Sequence, residues 1–342
     1  MAGYLSNTAN LNAIVEDGVY LGLTGNSITG KPLGIGGASF VLRVSAYGTG
    51  SGTSNRFVLQ ELYRLSDPTC MWIRRVDQQD PNSTSEGAAW VQPAAVAPPP
   101  GPLAGKRAVF FGDSITDFGD FHLRVQARLG LASAVNSGFG GCRMALHPTT
   151  LFQPFSMYNV AQTVAAGGSL VSAANALYAD TGTDFRVPAA DLAAVNWSTT
   201  DFAVIFYGTN DYGGANALGT PGSTDVSTVR GAINVTVDAL QSAYPHLQIL
   251  FLTPMWRARL ANGDGKDATN HPNSAGIYLR EYADAIIDEA GRNACPVLDM
   301  YRTSGINAHT HTHLLYDGLH LNGATGWQRA ADKIAAAMSA HF

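Results

Sequence analysis

The sequence predicts an α/β domain built on a parallel sheet with helices on both faces, preceded by a small β-rich domain. Three observations lead there. Beyond residue 106, short apolar runs alternate with helix-length amphipathic stretches, as strand–helix units do. Before residue 92, β-branched and aromatic runs are separated by Gly, Ser, Asn and Pro turns. Between them, residues 93–102 read PAAVAPPPGP, a proline density that favours a stiff extended linker. The expected division is a β-rich binding or accessory domain over 1–92, a linker over 93–105 and the α/β domain over 106–342.

With 342 residues, 46% hydrophobic and 14% charged, the chain can bury two cores. Its net charge of −5 and the absence of a clustered basic stripe argue against a nucleic-acid partner. The opening MAGYLSNTANLNAIVEDGVY lacks a basic segment followed by an apolar run, so no signal peptide is expected. No apolar run approaches the roughly 18 residues that a membrane span requires, so a soluble protein is expected. Cys70, Cys142 and Cys295 are few, widely spaced and odd in number. That pattern fits small buried residues rather than a disulfide framework or a zinc site.

In the first domain, strands are expected at GVYLGL (18–23), SFVLRVSAYG (39–48), RFVLQELYRL (56–65) and CMWIRRV (70–76). The Gly-rich loop 48–55 has no phosphate-binding pattern, and no catalytic pair stands out here. In the second domain, strands are expected at AVFF (108–111), SAVNSG (133–138), FAVIFYG (202–208), LQILFLTP (247–254) and CPVLDM (295–300). Helical spacing appears around 119–130, 225–243, 274–292 and 327–339. Uninterrupted apolar strands between helices imply a parallel sheet buried on both faces. Such sheets bind ligands beyond the carboxyl ends of their strands.

Polar residues gather at those ends. The first strand runs into Gly112-Asp113-Ser114, the second into Asn136-Ser137-Gly138-Phe139-Gly140-Gly141, and the third into Tyr207-Gly208-Thr209-Asn210-Asp211. The segment YDGLHLN holds Asp317 and His320 before the last helix. Acyl transfer needs this set: a serine hydroxyl, a base to take its proton, a carboxylate to orient that base, and donors for an oxyanion. Ser114, His320 and Asp317 can fill the first three roles. The N–H groups of Ser114 and a glycine of the second segment, with the Asn210 amide, can provide the donors. Taken singly, Gly-Asp-Ser is a turn with a helix cap, Asp-x-x-His a solvated loop, and Asn210 turn chemistry. Together, in this order at strand ends, they favour a site.

The four segments resemble the blocks of the SGNH (GDSL-type) hydrolase family over roughly residues 106–340. FGDSITDFG resembles the nucleophile block, NSGFGG the glycine block, YGTND the asparagine block and YDGLHLN the Asp-x-x-His block. The resemblance implies a flavodoxin-like three-layer α/β/α fold on a five-stranded parallel sheet, and ester hydrolysis with no metal or cofactor. It implies Ser114 as nucleophile and His320 and Asp317 as the rest of the triad. It implies Ser114, Gly141 and Asn210 as the oxyanion hole, Gly141 because it lies five residues after Asn136. Asp113 and Asp211 resemble structural neighbours. Cys142 stands where the family commonly has a polar residue.

Residues 15–92 are similar to knob-like modules of phage tail fibres and tail-type bacteriocins, through GVYLGLTGNSITGKPLG, FVLRVSAYG, QELYRL, WIRRV and Trp90. That likeness implies a virion setting, reached from the cell by lysis, with trimerisation or glycan binding. The expected substrate is then a short-chain acyl ester, foremost an O-acetylated surface polysaccharide. A general carboxylesterase or lipase is one alternative. A receptor-binding tail component using the α/β domain for recognition is another.

Two further features bear on substrate. HTHTH (309–313) would present three histidines on one face of a strand, but a solvated loop is the simpler expectation. The long loop TPMWRARLANGDGKDATNHPNSAG follows the fourth strand on the active edge. There Trp256 could stack on a sugar and Arg257 could bind an anionic group, with Tyr212 and the 143–160 loop as further walls.

Overall fold

The structure is a computed structural model. It describes residues 101–342 except 261–263 and 324, and, nearer the N-terminus, residues 2–14, 16–23, 27–29, 31–32, 35, 39–47, 57–64, 67–77 and 90–91. The chain divides into two compact units, Met1–Pro99 and Pro100–Phe342.

The first unit is a single sheet of β1 (Ala2–Tyr4), β2 (Gly18–Gly22), β3 (Phe40–Tyr47), β4 (Phe57–Arg64) and β5 (Asp67–Asp77), paired in that order. β1 and β2 run parallel and the other pairs antiparallel. The alternation along the strands sets its faces. Phe40, Leu42, Val44, Val58, Leu62 and Trp72 are buried together, while Arg43 and Glu61 meet on the opposite face at 3.7 Å. Gln60 and Arg74 are the buried polar residues here, among those described. The Gln60 amide nitrogen donates to the Leu11 and Ile14 carbonyls at 2.7 and 2.6 Å, and its oxygen accepts from Arg74 Nε at 2.7 Å. The four strands expected here are present, with β1 added. The 48–55 loop and linker residues 92–100 lie outside the described residues.

The linker does not extend to 105. Leu103 is buried in the core of the second unit, and Gly105 N–H donates to the Gly130 carbonyl at 2.8 Å. An apolar side chain with a pocket to fill keeps this turn in the folded domain.

The second unit carries β6 (Arg107–Gly112), β7 (Ser133–Gly138), β8 (Phe202–Phe206), β9 (Gln248–Leu252) and β10 (Val297–Leu298). All pairs are parallel, in the order β10-β9-β8-β6-β7. This is the flavodoxin-like order, and its switch point falls between β6 and β8. β8 is buried at every position, as a strand covered on both faces must be.

The helices are α1 (Ser114–Asp117), α2 (Phe121–Leu129), α3 (Met157–Ala165), α4 (Val171–Thr181), α5 (Arg186–Ala193), α6 (Thr209–Gly213), α7 (Val229–Ala243), α8 (Leu279–Arg292), α9 (Met300–Thr303), α10 (His311–Leu314) and α11 (Gly326–His341). With right-handed crossovers, α2 and α11 pack together on one face and α3, α7 and α8 line the other. α7 shows why such a helix forms. Thr228 caps it through the Gly231 N–H, and Val229, Ala232, Ile233, Thr236, Val237 and Leu240 are buried at helical spacing. The expected helices correspond to α2, α7, α8 and α11. The apolar spacing gave no sign of α3, α4 and α5, and α3 together with the 3-10 turn Thr150–Phe155 occupies what was expected to be a 143–160 loop.

Candidate active site

β6, at the switch point, delivers the first polar group. Gly112 ends the strand, and a Cβ there would lie 1.9 Å from Thr116 Oγ1 and 2.9 Å from the Phe206 carbonyl oxygen. Only glycine lets α1 settle on the strand ends. Gly138 does the same from β7, its missing Cβ 2.2 Å from Asp117 N. Asp113 caps α1 by accepting the Ile115 N–H at 3.0 Å. Ser114 opens the helix, 8% exposed.

Asp317 and His320 sit in a tight turn closed by the Leu315–Leu321 bridge and by the Tyr316 N–H donating to the His320 carbonyl at 3.0 Å. Asp317 Oδ1 accepts the N–H groups of Leu319 and His320 at 2.9 and 2.8 Å. Its Oδ2 lies 2.8 Å from His320 Nδ1, and His320 Nε2 lies 2.8 Å from Ser114 Oγ. Burial alone would raise Asp317, but the His320 N–H, the His320 ring and the Leu319 N–H hold it well below the usual carboxylate range. An ionised carboxylate can only accept, so Nδ1 carries the proton and Nε2 presents a lone pair to the serine hydroxyl.

A residue outside the four segments completes this arrangement. Arg259 donates from Nη2 to Asp317 Oδ2 at 2.7 Å and from Nε to the Asp317 carbonyl at 2.9 Å. Beside it the Ala258 N–H donates to the Gly318 carbonyl at 2.7 Å. The loop after β9 thus braces the Asp317 turn by side chain and backbone.

The glycine and asparagine segments meet the serine from the other side. A Cβ on Gly140 would lie 3.8 Å from Ser114 Cβ and 3.2 Å from Asp117 Oδ2, and the Gly140 N–H faces the Asp117 carboxyl. Gly141 has φ +77°, and its N–H has no hydrogen-bond partner among the described residues. Asn210, on α6 at the end of β8, donates from Nδ2 to the Cys142 carbonyl at 3.0 Å. Asp211 accepts the Met144 and Ala145 N–H groups at 2.9 Å each, tying this loop to α6.

Three carboxyls, Asp113, Asp117 and Asp211, lie close enough here to act on one another. Burial pushes Asp113 up to about 7, with Asp211 and Asp117 adding and the Ile115 N–H opposing. Burial likewise pushes Asp117 up to about 6 and raises Asp211. Cys142 is fully buried and its thiol is raised well above its ordinary value by burial. It packs as a small apolar residue.

The expected substrate walls are corrected. Tyr212, Trp256 and Arg257 are all buried. The Tyr212 hydroxyl donates to the His271 carbonyl and Trp256 Nε1 to Thr269 Oγ1, both at 2.7 Å. The Arg257 guanidinium is taken up by the Thr209 carbonyl at 3.0 Å, the Leu260 carbonyl at 2.8 Å and the Arg259 carbonyl at 2.5 Å. Long polar side chains that find carbonyls inside a loop order that loop instead of facing a ligand. The exposed aromatic groups beside His320 are Phe118 and Tyr316, to which their sequence motifs assign no role. The HTHTH segment is partly helical: His311 and His313 lie on α10. Among the described residues, no group of three or more His, Cys, Asp or Glu side chains is placed to hold a metal ion.

A model of the GDSL-like lipase/acylhydrolase family matches residues 110–325. Among solved structures, a protein from Lactobacillus plantarum is 22% identical with a TM-score of 0.53, the match covering 70% of this chain and 99% of that one. A second solved protein is 25% identical with a TM-score of 0.52 and the same coverages, 70% and 99%. The lipase/acylhydrolase from Enterococcus faecalis is 17% identical with a TM-score of 0.40, covering 69% and 96%. No curated protein matches. Among the described residues, no helix is long and apolar enough to cross a membrane.

Proposed function

The chain belongs to the GDSL-like lipase/acylhydrolase family, and on that premise we propose that it is a serine esterase working through Ser114, His320 and Asp317. The observation that carries the roles is the continuous path from Ser114 Oγ through His320 to Asp317, with both links at 2.8 Å. His320 Nε2 takes the hydroxyl proton as Oγ attacks the acyl carbonyl. The Ser114 and Gly141 N–H groups and the Asn210 amide stabilise the oxyanion. His320 then gives its proton to the leaving alcohol as the ester C–O bond breaks. Water, giving a proton to the same base, attacks the acyl-enzyme carbonyl, and His320 passes that proton to Ser114 Oγ as the acid leaves.

On this reading the acyl group is short and the alcohol is a carbohydrate, so the protein is an O-acetylesterase. The close approach of Gly140 to Ser114 favours a small acyl group. The N-terminal likeness to tail-fibre knobs supports a virion setting, in which a homotrimer meets acetylated surface polysaccharide. Initial rates on p-nitrophenyl acetate, butyrate and octanoate test the reading. The acetate should be fastest, and Ser114→Ala should lower its rate by at least about 10³-fold with the fold intact. A variant as active as the parent would remove Ser114 from the mechanism, and an octanoate preference would favour a general lipase.

A further inference from the structure

Two large exposed aromatic side chains lie beside the base. Phe118, on the residue after α1, is 55% exposed, and Tyr316, before Asp317, is 60% exposed. Their ring centroids both lie 5.5 Å from that of His320, Tyr316 nearly parallel at 17° and Phe118 tilted at 49°. Tyr316 also lines a cleft of about 450 Å³ shared with Arg259, Gly265, His311 and Thr312.

The chemistry decides which half of the ester comes here. The leaving oxygen must come within hydrogen-bond reach of His320 Nε2 to collect its proton. Whatever carries that oxygen then comes close to the rings beside the imidazole. The acyl half lies on the other side of the carbonyl carbon, toward the oxyanion donors. The exposed Tyr316 ring, in a cleft also lined by a guanidinium, an imidazole and a hydroxyl, makes an amphipathic surface. An alkyl chain calls for an apolar-walled pocket. A sugar ring matches the mixed surface, with a C–H face for the aromatics and hydroxyls for the polar groups.

We propose that Phe118 and Tyr316 form the leaving-group subsite, and that it takes the pyranose ring bearing the acyl ester. The assignment rests on the Ser114 esterase reading, and its test separates the two. Acetate release is followed for a mono-O-acetylated methyl glucopyranoside and for ethyl acetate, which has no ring. The wild type should prefer the saccharide ester in kcat/KM. Tyr316→Ala should reduce that preference about tenfold, chiefly through KM. Phe118→Ala should reduce it by a smaller factor, and Tyr316→Trp should preserve it. Equal losses on both esters would show that Tyr316 merely holds His320 in place, and would overturn the subsite. So would a wild type that hydrolyses ethyl acetate as well as the sugar ester, while leaving the esterase reading standing. A wild type inactive on both would sink the two together.

Discussion

The two sheets of this chain dispose of polar side chains in opposite ways. The N-terminal sheet has a buried face and a wet one, so polar residues alternate along its strands, as Arg43 and Glu61 do. Its buried polar groups among the described residues, Gln60 and Arg74, are spent on structure, joined to each other and to the Leu11 and Ile14 carbonyls. The C-terminal sheet is covered on both faces, and β8 is apolar throughout. Its polar groups are displaced to the strand ends, where Ser114 and Asn210 meet Asp317 and His320. A sheet without a free face has only its edges to offer a ligand, which is why reactive groups concentrate there.

Substitutions in each sheet can break or sharpen this contrast. Outside the proposed triad, the largest effect should come from Arg259→Ala, at the strand-end site. Losing a charged hydrogen bond to Asp317 worth about 1.5–3 kcal/mol should lower kcat roughly 10- to 100-fold on p-nitrophenyl acetate. Arg259→Lys, which cannot reproduce both contacts, should recover only part of it. An unchanged kcat would mean that the turn holds Asp317 unaided. Gln60→Leu, in the other sheet, should cost about 2 kcal/mol in denaturant unfolding of the N-terminal transition, since Arg74 and two carbonyls lose their partner. It should leave kcat/KM on p-nitrophenyl acetate unaltered, and a fall there would couple the two units.

The smallest effect is one of pH. Asp113 sits at about 7 in the folded chain against 3.8 as its ordinary value, so between these values the folded state holds the proton that the unfolded state has lost. Stability therefore falls as pH rises from about 4 to about 7 and levels above. Asp113→Asn keeps an acceptor for Ile115 and removes this contribution. Its melting temperature relative to wild type should climb across that window, and a constant difference would show that Asp113 is ionised throughout.

Much of the candidate site was legible in the residues, because a strand buried on both faces reads as an unbroken apolar run and whatever polar group ends it stands out. Val109–Phe111 before Ser114 and Phe202–Phe206 before Asn210 are such cases. α4 was not legible: it buries chiefly Ala174 and Leu177, and small residues give little contrast between faces. Trp256 and Arg257 misled because their residue types suit a sugar or an anion. Their partners, Thr269 and the carbonyls of Thr209 and Leu260, leave no local signal in sequence. Arg259, two positions further on, is the arginine that reaches the site, and nothing in WRAR distinguishes it.

The brace from Arg259 and Ala258 to the Asp317 turn also constrains how this protein can diversify. The loop after β9 is the natural place to alter what the active edge accepts, since length and composition can change there without touching the sheet. Yet the same loop holds the Asp317 carboxylate in position. Exchanging it for a relative's loop would shift selectivity and turnover together, unless the graft carried an arginine of equal reach at that position. Selectivity should therefore evolve more freely at Phe118 and Tyr316, which stand outside the brace.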